Sequence, residues 1–264
     1  EEALKRKFLV PYSYYPIIYN ATEDEENSFK YFSKRMAACF KNGVCIDPDK
    51  CYKLRRSQLR VISMAEAKNV HLGDIVDAVK SKDHFVVYCG DGMLFDNDEN
   101  AEIRHIQSVI NFLTKKNLKA SQFTAKENMD ERMELVNAFN KGRISTLVAI
   151  RCLDEGINIP SIKSAVILSS NDDYREFVQR RGRILRLFEG KEKADIYDIL
   201  ILPSYETQGM ALIELRRFYE YARLSLNWDT ELKAILDAYL KQYDFTYDDI
   251  AVYDYDDMEV PEDE

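Results

Sequence analysis

The stretch ISTLVAIRCLDEGINIPSIKSAVILSSNDDYREFVQRRGRIL, residues 144–185, decides the fold. It holds two short apolar runs, ISTLVAI and SAVILS, and then a segment of helical character, DDYREFVQRRGRIL. Apolar runs this short and uninterrupted predict strands covered on both faces, as in a parallel sheet. Working outward, the pattern repeats. HFVVYC (84–89) reads as a strand, AEIRHIQSVINFLTKK (101–116) as a helix and LKASQF (118–123) as a strand. MDERMELVNAFNKG (129–142) reads as a helix closed by Gly142, and ADIYDILIL (194–202) as a last strand. Alternation of this kind with right-handed crossovers predicts an α/β fold, a doubly wound and mostly parallel sheet with helices on both faces.

The flanks differ. FLVPYSYYPIIYNAT (8–22) is expected to be extended, since Pro11 and Pro16 oppose a helix. EDEENSFKYFSKRMAACF (23–40) is expected to be helical, with Thr22 and Glu25 at capping-box spacing. Residues 55–80 predict further helix leading into the first sheet strand. After the sheet, ETQGMALIELRRFYEYARL (206–224) and TELKAILDAYLKQY (230–243) predict helices. GDGMLFDNDEN (90–100) reads as a polar surface loop. Its Asp96, Asp98 and Asn100 begin like a calcium loop, but Ala101 and Gln107 stand where that loop needs glycine and glutamate.

The formal net charge of -9 is carried mostly by one end, because residues 244–264 hold ten acidic residues and no basic one. No apolar run approaches the roughly 20 residues of a membrane span, and EEALKRKFLV is not a signal peptide, so a cytoplasmic protein with no membrane partner is expected. The five cysteines fit free thiols in a reducing compartment. Cys39, Cys45 and Cys51 are spaced by six with no histidine nearby, unlike zinc-binding pairs, so no metal site is expected. The chain starts at Glu1 rather than methionine, as expected of a piece of something longer.

FVQRRGRILR (177–186) concentrates four arginines. Between Arg175 and Lys193 there are seven basic residues against Glu176, Glu189 and Glu192. On a helix Gln179, Arg183 and Arg186 share one face, while Arg180 and Arg181 point elsewhere. Gly182 would let another backbone or a ligand come close. A solvated basic face is one explanation. A bound polyanion is the other, because two adjacent guanidiniums repel unless phosphate oxygens sit between them. Phe218, Tyr219, Tyr221 and Trp228 interleave with Arg216, Arg217 and Arg223, which leaves core packing and a base-stacking surface both open, with core the simpler reading.

Taken together, TLVAIRCLDEGINIP (146–160) and QRRGRILR (179–186) resemble motifs V and VI of the second RecA-like domain of superfamily 2 helicases and translocases of the DEAD/DEAH type. HFVVYC resembles their motif IV strand. QFTAKENMDERMELVNAFNKG resembles the intervening stretch, with Arg132, Phe139 and Gly142 in the usual places. The resemblance covers about residues 55–202 and implies a RecA-like domain there. Residues 1–54 would then be an interdomain crossover segment with a helical extension, 203–243 C-terminal helices, and 244–264 an acidic tail.

The resemblance also implies roles. Arg186 would be the arginine finger, Arg183 its companion, and Gln179 would sit by the γ-phosphate and attacking water. Gly156 and Asn158 would face the ribose of the nucleotide, with Glu155 ordering the turn. Thr124 would contact nucleic acid. Ile150 and Arg151 stand where many relatives have Thr-Asp, leaving Arg151 to act there through charge. No G-x-x-x-x-G-K-[ST] occurs, so ATP with Mg²⁺ would be held mainly by a preceding RecA-like domain, and this chain alone would not hydrolyse it. The implied function is the C-terminal motor domain of an ATP-dependent helicase. DNA is preferred over RNA as partner, from the likeness of LDEGINIP to DNA-processing relatives. An RNA helicase domain and a non-catalytic nucleic-acid-binding or regulatory module of the same fold are the alternatives.

Overall fold

The computed structural model describes residues 4, 6–79, 83–96, 101–124, 127–150, 158–169 and 174–251. In chain order the strands are β1 (Tyr12–Asn20), β2 (Phe40–Lys41), β3 (Val44–Cys45), β4 (Phe85–Tyr88), β5 (Met93–Asp96), β6 (Ala101–Arg104), β7 (Ala120–Phe123), β8 (Thr146–Ala149), β9 (Ser164–Ile167) and β10 (Ala194–Leu202). The helices are α1 (Glu23–Ala37), α2 (Pro48–Ser63), α3 (Glu66–Val70), α4 (Leu72–Ala78), α5 (His105–Lys115), α6 (Met129–Asn140), α7 (Tyr174–Ile184), α8 (Gln208–Ala222), α9 (Lys233–Tyr243) and α10 (Tyr247–Ile250).

Six strands form one sheet in the order β1-β10-β9-β4-β8-β7, and every neighbouring pair is parallel. All residues of β4, β8, β9 and β10 are buried. Alternate side chains point to opposite faces. Val86, Tyr88, Leu147, Ala149, Ala165 and Ile167 enter a core shared with α6, α7, α8 and α9. Phe85, Val87, Val148 and Val166 enter the opposite core, shared with α2, α4 and α5. The expected α/β architecture is therefore present, and two-sided burial is why these strands are mostly apolar, with the buried Asp198 of β10 paired to Arg217.

The extended segment near the start is β1, the edge strand, which pairs with β10 from Tyr12↔Ala194 to Asn20↔Leu202. An edge position tolerates Pro16, which lacks an N–H. Thr22 caps α1 as expected, with its hydroxyl accepting from the Glu25 amide and the Glu25 carboxylate accepting from the Thr22 amide. Gly142, at φ +70, follows α6.

Two expectations change. Residues 93–104 are not all loop and helix: β5 and β6 pair antiparallel from Met93↔Arg104 to Asp96↔Ala101, so α5 begins only at His105. The physical signal is M-L-F (93–95) followed by D-N-D-E-N (96–100), an apolar run before turn-forming residues. The helical stretch before the sheet is three helices, α2 to α4, and α2 starts at Pro48 behind the Asp47 cap. No helix among the described residues is long and apolar enough to cross a membrane.

Candidate nucleotide and nucleic-acid site

The arginine-rich segment is α7 and the turn after it. Arg180 is 1% exposed and Arg181 6%. Arg180 pairs with Glu176, and its guanidinium lies 4.3 Å from the centroid of the Tyr88 ring. Arg181 reaches α8, where it meets the Glu220 carboxylate at 2.8 Å and donates to the Glu220 carbonyl at 2.6 Å. Both are fasteners that hold α7 to the sheet and to α8.

The other face is open. Gln179 is exposed, and Arg183 and Arg186 are half-buried. Arg186 Nη1 donates to Oδ1 of Asn158, so two residues 28 positions apart, both expected near the nucleotide, meet. Beyond the backbone of its own helix, no heavy atom of the described residues lies within 4 Å of where a Gly182 Cβ would stand, so that glycine is not making room for a neighbouring one of them.

Lys191 completes the arrangement, and sequence reading missed it. Its ammonium donates to the carbonyls of Ile184 at 2.6 Å, Arg186 at 3.0 Å and Pro160 at 3.2 Å. It thus caps the end of α7, where unpaired carbonyls favour a cation, and ties that end to the strand of chain leaving Asn158. Burial lowers its pKa to about 8. The chain entering β1 runs alongside, with the Val10 amide donating to the Leu185 carbonyl at 2.8 Å. The position of Arg186 is therefore set by nearby Lys191 and by two segments distant in sequence, around Asn158 and Val10.

Thr124 follows β7 and is buried. Its amide and hydroxyl both donate to Glu127 Oε2, at 2.6 and 2.9 Å, and Arg132 donates to its carbonyl at 3.0 Å. Glu155, Gly156 and Arg151 lie outside the described residues. Cys39, Cys45, Cys51 and Cys89 are free thiols. Among the described residues no three His, Cys, Asp or Glu side chains are grouped to hold a metal ion.

The aromatic residues of α8 and Arg217 are packing residues, while Arg216 is exposed and donates to the Asp249 carbonyl at 3.0 Å. Phe218 and Tyr221 are fully buried. Tyr219 packs edge-on against Trp228 and Tyr247. Arg217, 1% exposed, is held between Asp198 at 3.0 Å and Glu214 at 2.6 Å.

The carboxyl edge of the sheet has a second organised feature. The Gly90 amide donates to His105 Nδ1 at 3.2 Å, and the His105 amide to the Gly92 carbonyl at 2.8 Å. Burial, then the nearby Lys68 ammonium, lowers the His105 pKa to about 4, so the ring is neutral and able to accept. A Cβ on Gly92 would lie 2.6 Å from Met64 Sδ, which shows how tightly the end of α2 seats on this loop.

Residues 71–188 match the helicase conserved C-terminal domain family. The DNA 3'-5' translocase XPB2 of Sulfurisphaera tokodaii is 38% identical over 63 residues, which are 24% of this chain and 14% of that protein. A Methanocaldococcus jannaschii protein named as an ATP-dependent RNA helicase is 26% identical over 148 residues, 52% of this chain and 18% of its own length. The matched stretches thus span less than a fifth of either relative. Among solved structures, the SWI2/SNF2 ATPase core of Sulfolobus solfataricus in complex with dsDNA superposes with a TM-score of 0.53 at 11% identity, over 88% of this chain and 49% of that one. The C-terminal part of the Fun30 ATPase domain gives 0.50 at 11% identity, over 89% and 98%. By family match and by fold, residues 71–188 carry a helicase conserved C-terminal domain, and the sheet around them has the RecA-like fold of the C-terminal ATPase domains on which it superposes.

Proposed function

We propose that this chain is the C-terminal motor domain of a cytoplasmic, ATP-dependent DNA helicase or translocase, working against a first RecA-like domain that carries the phosphate loop absent here. The observation that carries the reading is the open face of α7, where Gln179, Arg183 and Arg186 stand outside the core and Arg186 meets Asn158. Arg183 and Arg186 are three residues apart beside a carboxamide, a donor set that fits phosphate oxygens. ATP with Mg²⁺, when bound, supplies the phosphoryl group to be transferred. Arg186 and Arg183 stabilise the charge that builds on it, and Gln179 orients water, so the contribution of this chain is positioning and electrostatics. Asn158, with Glu155 and Gly156, would face the nucleotide. Thr124 and Arg151 are carried as nucleic-acid contacts, Thr124 by exchanging the Glu127 carboxylate for a phosphate. The preference for DNA draws support from the relative named as a DNA translocase and the neighbour solved in complex with dsDNA, against a relative named for RNA.

The test is ATP hydrolysis by the full-length protein that contains this chain, with single-stranded DNA, duplex DNA and RNA in separate arms. DNA is expected to stimulate turnover most, Arg186→Ala to lower it by about 10³-fold or more, and this chain alone to be inactive. Turnover that survives Arg186→Ala would sink the arginine-finger assignment, and a full-length protein without any ATPase would leave a binding module.

A further inference from the structure

A cleft of about 350 Å³ opens between α2 and the carboxyl ends of β4, β8 and β9. Its walls include Lys53, Arg56 and Arg60 from α2, and Gly90, Ile150 and Ser169 from the strand ends. None of Gln179, Arg183, Arg186 or Asn158 lines it, so it is a different place from the open face of α7. In open α/β sheets the carboxyl edge is where ligands bind.

The charge in this cleft is one-sided. Lys53, Arg56 and Arg60 recur at helical spacing, so they form one stripe spanning about 10 Å along α2. All three are exposed, and among the described residues none is ion-paired; Arg56 only lies 5.9 Å from the centroid of the Tyr52 ring. The acids of the opposite wall are already neutralised: Asp91 by Arg104 at 3.0 Å and Glu176 by Arg180. The protein thus leaves three cations facing a cleft whose carboxylates are committed elsewhere. Close seating of Met64 on Gly90 and Gly92 fixes the distance of that stripe from the strand ends.

We propose that this cleft grips the phosphate backbone of a nucleic-acid strand, with Lys53, Arg56 and Arg60 as its phosphate contacts. The stripe lies on a helix outside residues 71–188, so it adds a second wall to the strand path of this domain. The proposal rests on the nucleic-acid reading above and names the surface that serves it. A row of cations about 10 Å long suits a repeating polyanion, since successive phosphates can meet successive side chains.

The experiment measures binding of labelled single-stranded DNA and single-stranded RNA of equal length to the full 264-residue chain, across a salt series. The variant is Lys53→Gln/Arg56→Gln/Arg60→Gln, and the control removes the same charge elsewhere through Lys141→Gln/Lys233→Gln/Lys241→Gln. Three lost phosphate contacts should lower the slope of log K against log salt by about 2, while the control stays close to wild type. Single substitutions, each expected to lower the slope by about 0.7, keep the test intact should the triple variant fold poorly. Loss with both strands places the shared phosphate chemistry in the cleft, and a difference between them names the preferred sugar. Wild-type binding that the triple variant retains overturns the cleft while leaving the nucleic-acid reading standing. A wild-type chain that binds neither strand at low salt overturns the reading itself, and the cleft with it. Polyglutamate competing as well as DNA at equal charge overturns the nucleic-acid assignment in favour of acidic protein.

Discussion

Four arginines stand within seven residues of α7 and the turn after it, and they divide in two. Arg180 and Arg181 are sealed inside, each against a carboxylate. Arg183 and Arg186 stay at the surface, where Arg186 donates to the neutral carboxamide of Asn158. One residue type therefore does two jobs on one helix. A buried guanidinium with a carboxylate is locked in place and closes to ligands. A half-exposed one beside a carboxamide keeps its donors for an incoming anion at little desolvation cost. The inward pair makes the outward pair rigid, because α7 cannot roll without breaking the Arg181–Glu220 contact to α8.

The sharpest way to break this contrast is thermal unfolding of matched substitutions. Arg181→Met should cost about 3 kcal/mol and lower Tm on the order of 6–12 °C, since it takes from the buried Glu220 one of its two arginine partners among the described residues, leaving Arg223. Arg183→Met should stay within about 0.5 kcal/mol of wild type. Equal losses at the two positions would mean that the two faces are not distinct.

A second contrast is between the α7 end, held by charged Lys191, and the β4 loop, held by neutral His105. The folded His105 pKa of about 4 lies below its ordinary value near 6.5, so its contribution is present above pH 6.5. As pH falls from 6.5 to 4 the unfolded chain takes up a proton that the folded chain refuses, and stability falls. Urea midpoints across that window should decline more steeply for wild type than for His105→Gln, and equal slopes would remove His105 from the account. Lys191 has the same sign at higher pH. Its folded pKa of about 8 is below its ordinary value, so stability should rise between pH 8 and 10.5, and Lys191→Met should flatten that rise.

Gly92→Ala should have a smaller effect, about 1 kcal/mol, because the flexible end of Met64 can move aside. Its use is in the cleft: salt-dependent strand binding should weaken in this variant if the seating of α2 matters there. The smallest expected effect is at the far edge, where Thr22→Ala removes the α1 cap for about 1 kcal/mol or less and should leave ATP turnover unchanged.

Much of the fold was legible. The strands β4 and β7 to β10 lie within the stretches predicted for them, because burial on both faces forces short continuous apolar runs. The common face of Gln179, Arg183 and Arg186 was legible too, since helical spacing alone puts them together. The β5–β6 hairpin was not, because an acidic run between two short strands looks like any polar loop. Lys191 was hidden for a different reason: its three carbonyl partners belong to the backbone, which carries no side-chain signature.

What the sequence by itself determined is the alternation of strand and helix and the angular order of side chains on α7. Both depend on neighbours two to four residues away, so they are written locally. Tertiary structure alone decided which arginines are sealed and which stay open, that residues 12–20 complete the sheet edge, and that α2 stands across a cleft from the strand ends. Those outcomes hang on partners far along the chain, such as Glu220 for Arg181, Ala194 for Tyr12 and Gly92 for Met64. Local spacing sets where a side chain points, but only the packed neighbour sets whether water, a carboxylate or a ligand meets it.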